Sequence, residues 1–153
     1  MNVLRYVGWV ALAMAVMTAG VYLSGGNIWI YFDLPSILLV PIATIAVLRT
    51  SWSFGAMGRA FCAAFSDAAS KEDMRAADAF FVAAGRIVVL AAGGGVLIGV
   101  INMMVNLENP KMLGPNLALA LVGALYAIVS RMFVFEPMRV NVARKMANMG
   151  DRS

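Results

Sequence analysis

The sequence predicts an all-α integral membrane protein with four transmembrane helices and a short cytoplasmic helical extension. Three observations carry this. Hydrophobic residues make up 62% of the chain and charged residues 13%, where soluble domains run near ~25% charged. A chain of 153 residues cannot hide that much apolar surface in one core, because small domains keep a large exposed fraction, so the excess faces lipid. The apolar residues fall into four runs, most approaching the ~20 residues that a helix needs to cross hydrocarbon. The basic residues sit on alternate connections, as they do in multi-span proteins.

The first span runs from about Val7 to Leu23. Its length and its aromatic-flanked end (Tyr22, then Trp29 and Tyr31) mark a membrane interface rather than a cleavable leader. The second runs from about Leu34 to Leu48, lengthened upstream by Ile28-Trp29-Ile30. It is the shortest, begins at the outer interface and carries Pro41, where a kink is expected. In Asp33-Leu34-Pro35-Ser36, Asp33 is placed to cap free backbone N–H groups and Pro35 falls in the first turn, so both read as structural. The third span runs from about Ile87 to Leu107 and the fourth from about Leu117 to Phe135.

Arg49, Arg59, Lys71, Arg75 and Arg86 lie between spans two and three, and Arg139, Arg144, Lys145 and Arg152 follow span four. The Ser24–Phe32 connection has no Lys or Arg, and Asn106–Asn116 has only Lys111. The positive-inside rule puts both termini and the middle loop in the cytoplasm. That loop, residues 49–86, reads as helical. Ser70 and Asp73 form a loose capping box before a helix from Lys71 to Ala84. Phe54, Phe61 and Phe65 show helical spacing, as do Met74, Ala77 and Phe81. Two amphipathic helices then extend spans two and three, either packing on each other as a hairpin or offering a surface to a partner. The tail, residues 136–153, begins with a break or kink at Pro137 and continues as a short interfacial helix with Met138, Val142 and Met146 on one side. The chain reads as one membrane domain, residues 1–153.

The chemistry open to this chain is narrow. It has no histidine and Cys62 is its only cysteine, which excludes zinc clusters and any His-activated nucleophile. Cys62, among small residues, reads as packing filler. No carboxylates pair at membrane depth. No catalytic residue, metal site or cofactor is predicted, and the chain does not read as an enzyme. The net charge of +4 flanks the spans, so it reports topology rather than nucleic-acid binding. Arg131 is the one charge inside a span, about a turn from its cytoplasmic end, where its head group snorkels to the interface. Glu136 lies on a different face of a regular helix. Thr18, Thr44 and Ser130 are placed to bond their own helix backbone, whereas Asn102 suits a neighbouring helix or a partner side chain equally.

Small residues recur at helical spacing: Ala91, Gly95 and Gly99 in span three, Ala11, Ala15 and Ala19 in span one, Ala120, Ala124 and Ala127 in span four. Gly93 and Gly94 widen the smooth surface of span three. Such faces let helix backbones approach closely, within a subunit and between subunits. An ion pathway needs a titratable group or a wet polar route at depth. This chain brings no buried carboxylate, so in a conducting complex a partner supplies it.

Two stretches resemble the MotA/TolQ/ExbB group, most closely MotA-type stator subunits. Gly25-Gly26-Asn27-Ile28-Trp29-Ile30-Tyr31-Phe32-Asp33-Leu34-Pro35-Ser36 is similar to the start of that family's second span. Gly95-Val96-Leu97-Ile98-Gly99-Val100-Ile101-Asn102, then Leu113-Gly114-Pro115, then Ala118 through Ala127 and Phe135-Glu136-Pro137, are similar to its last two spans. The resemblance implies a bacterial inner-membrane homo-pentamer, embedded in lipid, around the single spans of a MotB/ExbD-like partner that carries the proton-accepting aspartate. It places Gly95, Val96, Gly99, Asn102, Gly123, Ala124 and Tyr126 on the ion path or against the partner helix, and gives Pro137 a structural place after span four. The family's threonine in span three is replaced here by Val96, and its span-four threonines by Gly123 and Ala124. Pro41-Ile42 stands in place of a Gly-Gly pair, and the family's proline at the entry to span three falls near Val89. The cytoplasmic domain is cut to about 38 residues. Two readings follow: a minimal subunit of an ion-driven motor or channel, or a non-conducting scaffold that keeps the fold.

Overall fold

A computed structural model of the chain describes residues 3–31, 34–66 and 68–150. Asp33 lies outside the described residues. Among the described residues six α-helices follow one another: α1 (Val3–Leu23), α2 (Leu34–Arg49), α3 (Phe54–Phe65), α4 (Lys71–Val105), α5 (Pro110–Ser130) and α6 (Glu136–Gly150). A 3₁₀ turn, Ile28–Tyr31, precedes α2, and a π-helical stretch, Arg131–Phe135, joins α5 to α6. The fold is all-α, as the sequence predicts. Three helical segments are long and apolar enough to cross a membrane (α1, α4, and α5 with its continuation to Met149), and four if the bent pair α2–α3 counts as one span. With 16 residues, α2 rises only about 24 Å, short of the ~30 Å hydrocarbon layer.

The chain turns sharply between α2 and α3, by 103°. Side-chain hydroxyls make this elbow. Thr50 Oγ1 donates to the Val47 carbonyl (2.7 Å) and ends α2. Ser53 Oγ then accepts the Ala56 N–H (3.1 Å) and starts α3. The next start is also as expected: Ser70 Oγ accepts the Asp73 N–H (3.0 Å) and gives its own proton to the Asp73 carboxylate (2.7 Å). The helix that begins there runs for 35 residues, so the second half of the middle loop and span three are one rod without a joint.

At the same end of the bundle the junction of α5 and α6 departs from expectation. Helical residues continue through Pro137 from Pro110 to Met149, because the π-helical stretch before it absorbs the misfit. The Glu136 N–H reaches back five residues to the Arg131 carbonyl. Proline has no N–H, so the carbonyl four residues before it has no helical donor; that carbonyl belongs to Phe133, and the Tyr6 hydroxyl of α1 donates to it. The wider turn also brings Arg131 beside Glu136, with Nε 4.0 Å from a carboxylate oxygen. On a regular helix five residues apart these side chains point to different faces, which is why the sequence argues against the pair.

Helix α4 is the axis of the molecule. Along the membrane segment α2 and α5 pack on it, around Val40, Val88, Ala92 and Ala127. Beyond that, α3, the first half of α4 and α6 form a second core with the side chains of a water-soluble protein. Phe61 and Phe80 both meet Phe81 edge-to-face, at centroid distances of 5.2 and 5.3 Å. The middle loop is thus a hairpin packed on itself. The Met138–Val142–Met146 face of the tail covers that hairpin instead of lying on the membrane, because the phenylalanines offer it a dry surface. Asn141 and Lys145 of α6 donate to the Ala64 carbonyl, Lys145 also to that of Ser66 (2.6 Å), satisfying the open end of α3. By contrast, no residue in the most apolar window of α1 is buried. It is held near its N-terminus by Tyr6, whose ring also meets Phe65 edge-on at 5.9 Å.

The Ser70 cap sits where the long rod begins. Ser70→Ala is expected to cost about 1 kcal/mol of stability in denaturant unfolding of the detergent-solubilised protein, and Ser70→Asp to recover most of it.

Candidate functional site

The small residues singled out in the sequence converge on one seam, where α2, α4 and α5 meet. Its tightest point is Gly99. A Cβ there would stand 2.7 Å from the Ala120 Cβ and 3.1 Å from the Asn116 carbonyl oxygen, so only glycine lets these two backbones cross. One turn further in, Gly95 receives Leu39 of α2, whose Cδ2 lies 3.2 Å from the missing Cβ. On α5, Gly123 is buried and faces Ser36 Oγ (3.7 Å) and Val40 Cγ2 (3.8 Å) of α2. These three glycines pack within the chain, so the face they share is already occupied by its own neighbours.

The other predicted residues are dispersed around that seam. Val96 and Ala124 are half-buried. Tyr126 is half-buried, and its hydroxyl donates to the Tyr31 carbonyl, tying the 3₁₀ turn to the C-terminal half of α5. Asn102 is exposed in the last turn of α4, and among the described residues its carboxamide makes no hydrogen bond; its backbone carbonyl accepts the Asn106 N–H (3.2 Å) and side chain (2.7 Å). Pro35 stands in the first turn of α2 and Pro137 in the first turn of α6.

Two polar residues at the seam escape a reading of the sequence. Ser36 is buried and donates to the Leu119 carbonyl of α5 at 3.2 Å. A signal for it exists, since Ser36 lies one turn before Val40 on the buried side of α2, but the apolar run around it masks a single hydroxyl. Asn116 lies inside α5, which begins at Pro110 rather than near Leu117. Proline as the first residue of a helix marks that start. The Asn116 Nδ2 is buried without a hydrogen-bond partner among the described residues.

Between Ser36, Val40, Gly95 and Gly123 lies a cavity of about 30 Å³, closed further by Leu39, Ile98 and Leu119. That is room for a water or two. Its polar lining is the Ser36 hydroxyl with the Leu119 carbonyl it bonds. The carboxylates of the described residues stand at the ends of the bundle. Glu136 and Asp78 join Arg139 there at 3.6 Å each, and Arg131 closes the chain through Glu136. This network links the π-helical stretch and α6 to α4. Among the described residues no group of three or more His, Cys, Asp or Glu side chains forms a metal site.

The opposite face of α4 is open. Leu90, Leu97, Ile101 and Met104 are 59–74% exposed, and a methyl group added at Gly94 among them would meet nothing within 4 Å. The steps of four and three put all five on one helix face.

No protein-family model matches the chain. Among curated proteins it is 36% identical over 78 residues to the uncharacterized protein YtxD of Bacillus subtilis (strain 168), a match that covers 51% of this chain and 29% of YtxD. The chain therefore spans under a third of that relative's length.

The two sides of α4 make a paired test. Gly99→Ala forces α4 from α5 and is expected to cost about 1–3 kcal/mol, the usual range for overpacking. Gly94→Ala meets open space and is expected to stabilise the helix by up to about 1 kcal/mol. Thermal unfolding of both variants in the same detergent reads the difference.

Proposed function

We propose that this chain is a minimal MotA-like subunit of an ion-driven complex in the bacterial inner membrane, with both termini in the cytoplasm. It would assemble as a homo-pentamer around a single-span partner that carries the ion-accepting aspartate. The observation that carries this reading is the pairing of α4 with the continuous α5–α6 rod. Two long helices leave the membrane together and enter a packed helical layer, so motion or force at one end reaches the other through rigid elements. Most residues that resemble the MotA group lie on these rods, and the described part of the first stretch lies in the 3₁₀ turn and the start of α2. The identity to YtxD supports relationship to another chain, not this activity.

Three features give the proposal chemical content. The carboxylates of the described residues sit at the ends of the bundle, so a proton acceptor at depth has to come from another chain. Ser36 stands across from Gly123 and brings a hydroxyl to the place where the resemblance loses one. The open Leu90–Gly94–Leu97–Ile101 face of α4 and the unburied α1 are apolar surfaces suited to other subunits and to the partner, in the place that the resemblance gives to Gly95 and Gly99.

The non-conducting scaffold is favoured by one observation: the seam closes to about 30 Å³ between apolar walls. The experiments separate the two. Native mass spectrometry of the gently purified complex is expected to give five copies with two of a single-span protein. In proteoliposomes the complex is expected to pass protons, and Ser36→Ala to slow that flux at least several-fold while leaving the subunit count unchanged. A pentamer that holds its partner and passes no ions establishes the scaffold instead; a monomer or dimer removes the family assignment.

A further inference from the structure

We propose that the cleft at the elbow between α2 and α3 binds one anionic phospholipid, with an acyl chain in the cleft and the phosphate at Arg49. The cleft measures about 360 Å³ and is walled by Pro41, Ile45, Leu48, Phe61, Val88 and Val134. Of its hydroxyls, that of Thr44 is spent on the Val40 carbonyl at 2.7 Å. The wall from Pro41 to Leu48 covers about 10 Å along α2, so the cleft runs from hydrocarbon depth towards the basic end of the bundle. Phe54, 67% exposed, stands at its mouth.

Charge selects the occupant. Arg49 lies over the Phe54 ring, with Cζ 4.5 Å from the centroid, and gives one N–H to the Trp52 carbonyl at 2.8 Å. A guanidinium has five N–H donors, so several remain for a phosphate. Arg49 pairs with no carboxylate among the described residues. A cation without a paired acid thus stands over the phenylalanine at the edge of an apolar slot, which suits a headgroup phosphate above an acyl chain. A helix about 10 Å across does not enter a slot of this volume, whereas a hydrocarbon chain does. The site stands independently of whether the complex conducts ions.

Titrating the purified full-length protein with phosphatidylglycerol or phosphatidylcholine under native mass spectrometry tests this. The protein is expected to hold one phosphatidylglycerol per copy at least tenfold more tightly than phosphatidylcholine. R49Q is expected to abolish that preference and R49K to keep most of it. Ile45→Trp, which fills the slot, is expected to reduce binding of both lipids at unchanged helicity; Ser130→Leu, a smaller filling, serves if the tryptophan variant fails to fold. Equal affinity for the two lipids in the unaltered protein, or undiminished phosphatidylglycerol binding in R49Q, overturns the proposal. So does a filled variant that changes the number of copies and not the lipid bound, since a second copy would then be the occupant.

Discussion

The crossing of α4 and α5 at Gly99 sets the geometry of the rest. In lipid, helices gain nothing from hiding apolar side chains from one another, because the acyl chains outside are equally apolar; association rests on close packing and hydrogen bonds. Close packing is what Gly99 provides against Ala120 and the Asn116 backbone. Helices are stiff rods, so a contact fixed there constrains contacts far along them. Gly85, about 21 Å away along α4, packs beside Arg131 and Phe135, where α5 has already given way to the π-helical stretch. The narrow crossing also leaves a groove that α2 fills, with Leu39 over Gly95 and Val40 over Gly123.

Two solvents are written into one helix. The membrane half of α4 packs through glycine and alanine, where shape decides. Its first half packs through Met74, Phe80 and Phe81, all but fully buried, where removal from water supplies the driving force. Because α4 crosses from one regime to the other without a joint, the phenylalanine-rich core acts as an anchor for the membrane seam. The junction on the other strand of this hairpin is less smooth. There the chain carries a proline and an arginine at the same level, and the π-helical turn reconciles them. It frees the Phe133 carbonyl for Tyr6, turns Arg131 towards Glu136, and lets the rod go on.

Much of this architecture is legible in the sequence, for physical reasons that can be named. Long apolar runs and charge asymmetry report the membrane directly, and the Ser70–Asp73 cap is local chemistry that tertiary contacts do not override. The glycine spacing correctly marks close approach. It does not say to which neighbour, because Gly95, Gly99 and Gly123 look the same from sequence whether the approaching backbone is in the same chain or another. The Arg131–Glu136 pair is hidden because helical spacing assumes 3.6 residues per turn. Asn116 is hidden by Pro115, which reads as a loop residue although the helix has already begun at Pro110. The placement of Asp33 falls outside the described residues.

The use of the glycine face within the chain changes what an assembly would require. A closed ring needs each subunit to offer two different, complementary side surfaces, and an enclosed partner needs a third. If the glycines had been free, one face of α4 would have served the partner and little would have been left to organise the ring. With them committed to α2 and α5, the apolar surfaces without internal cover among the described residues include most of α1 and the heptad-spaced stripe of α4 with a notch at Gly94. A bulky side chain from a neighbouring helix fits such a notch as a knob fits a hole. Open apolar faces are tolerable against lipid, so their exposure alone does not demand a partner. Their geometry, however, is that of a helix-binding seam, whereas the elbow cleft beside Arg49 is too narrow for a helix and charged for a headgroup. On the proposed assembly, subunits and partner would therefore meet along α1 and α4 while lipid fills the space under α3, and the glycine seam between them would keep each subunit one rigid piece.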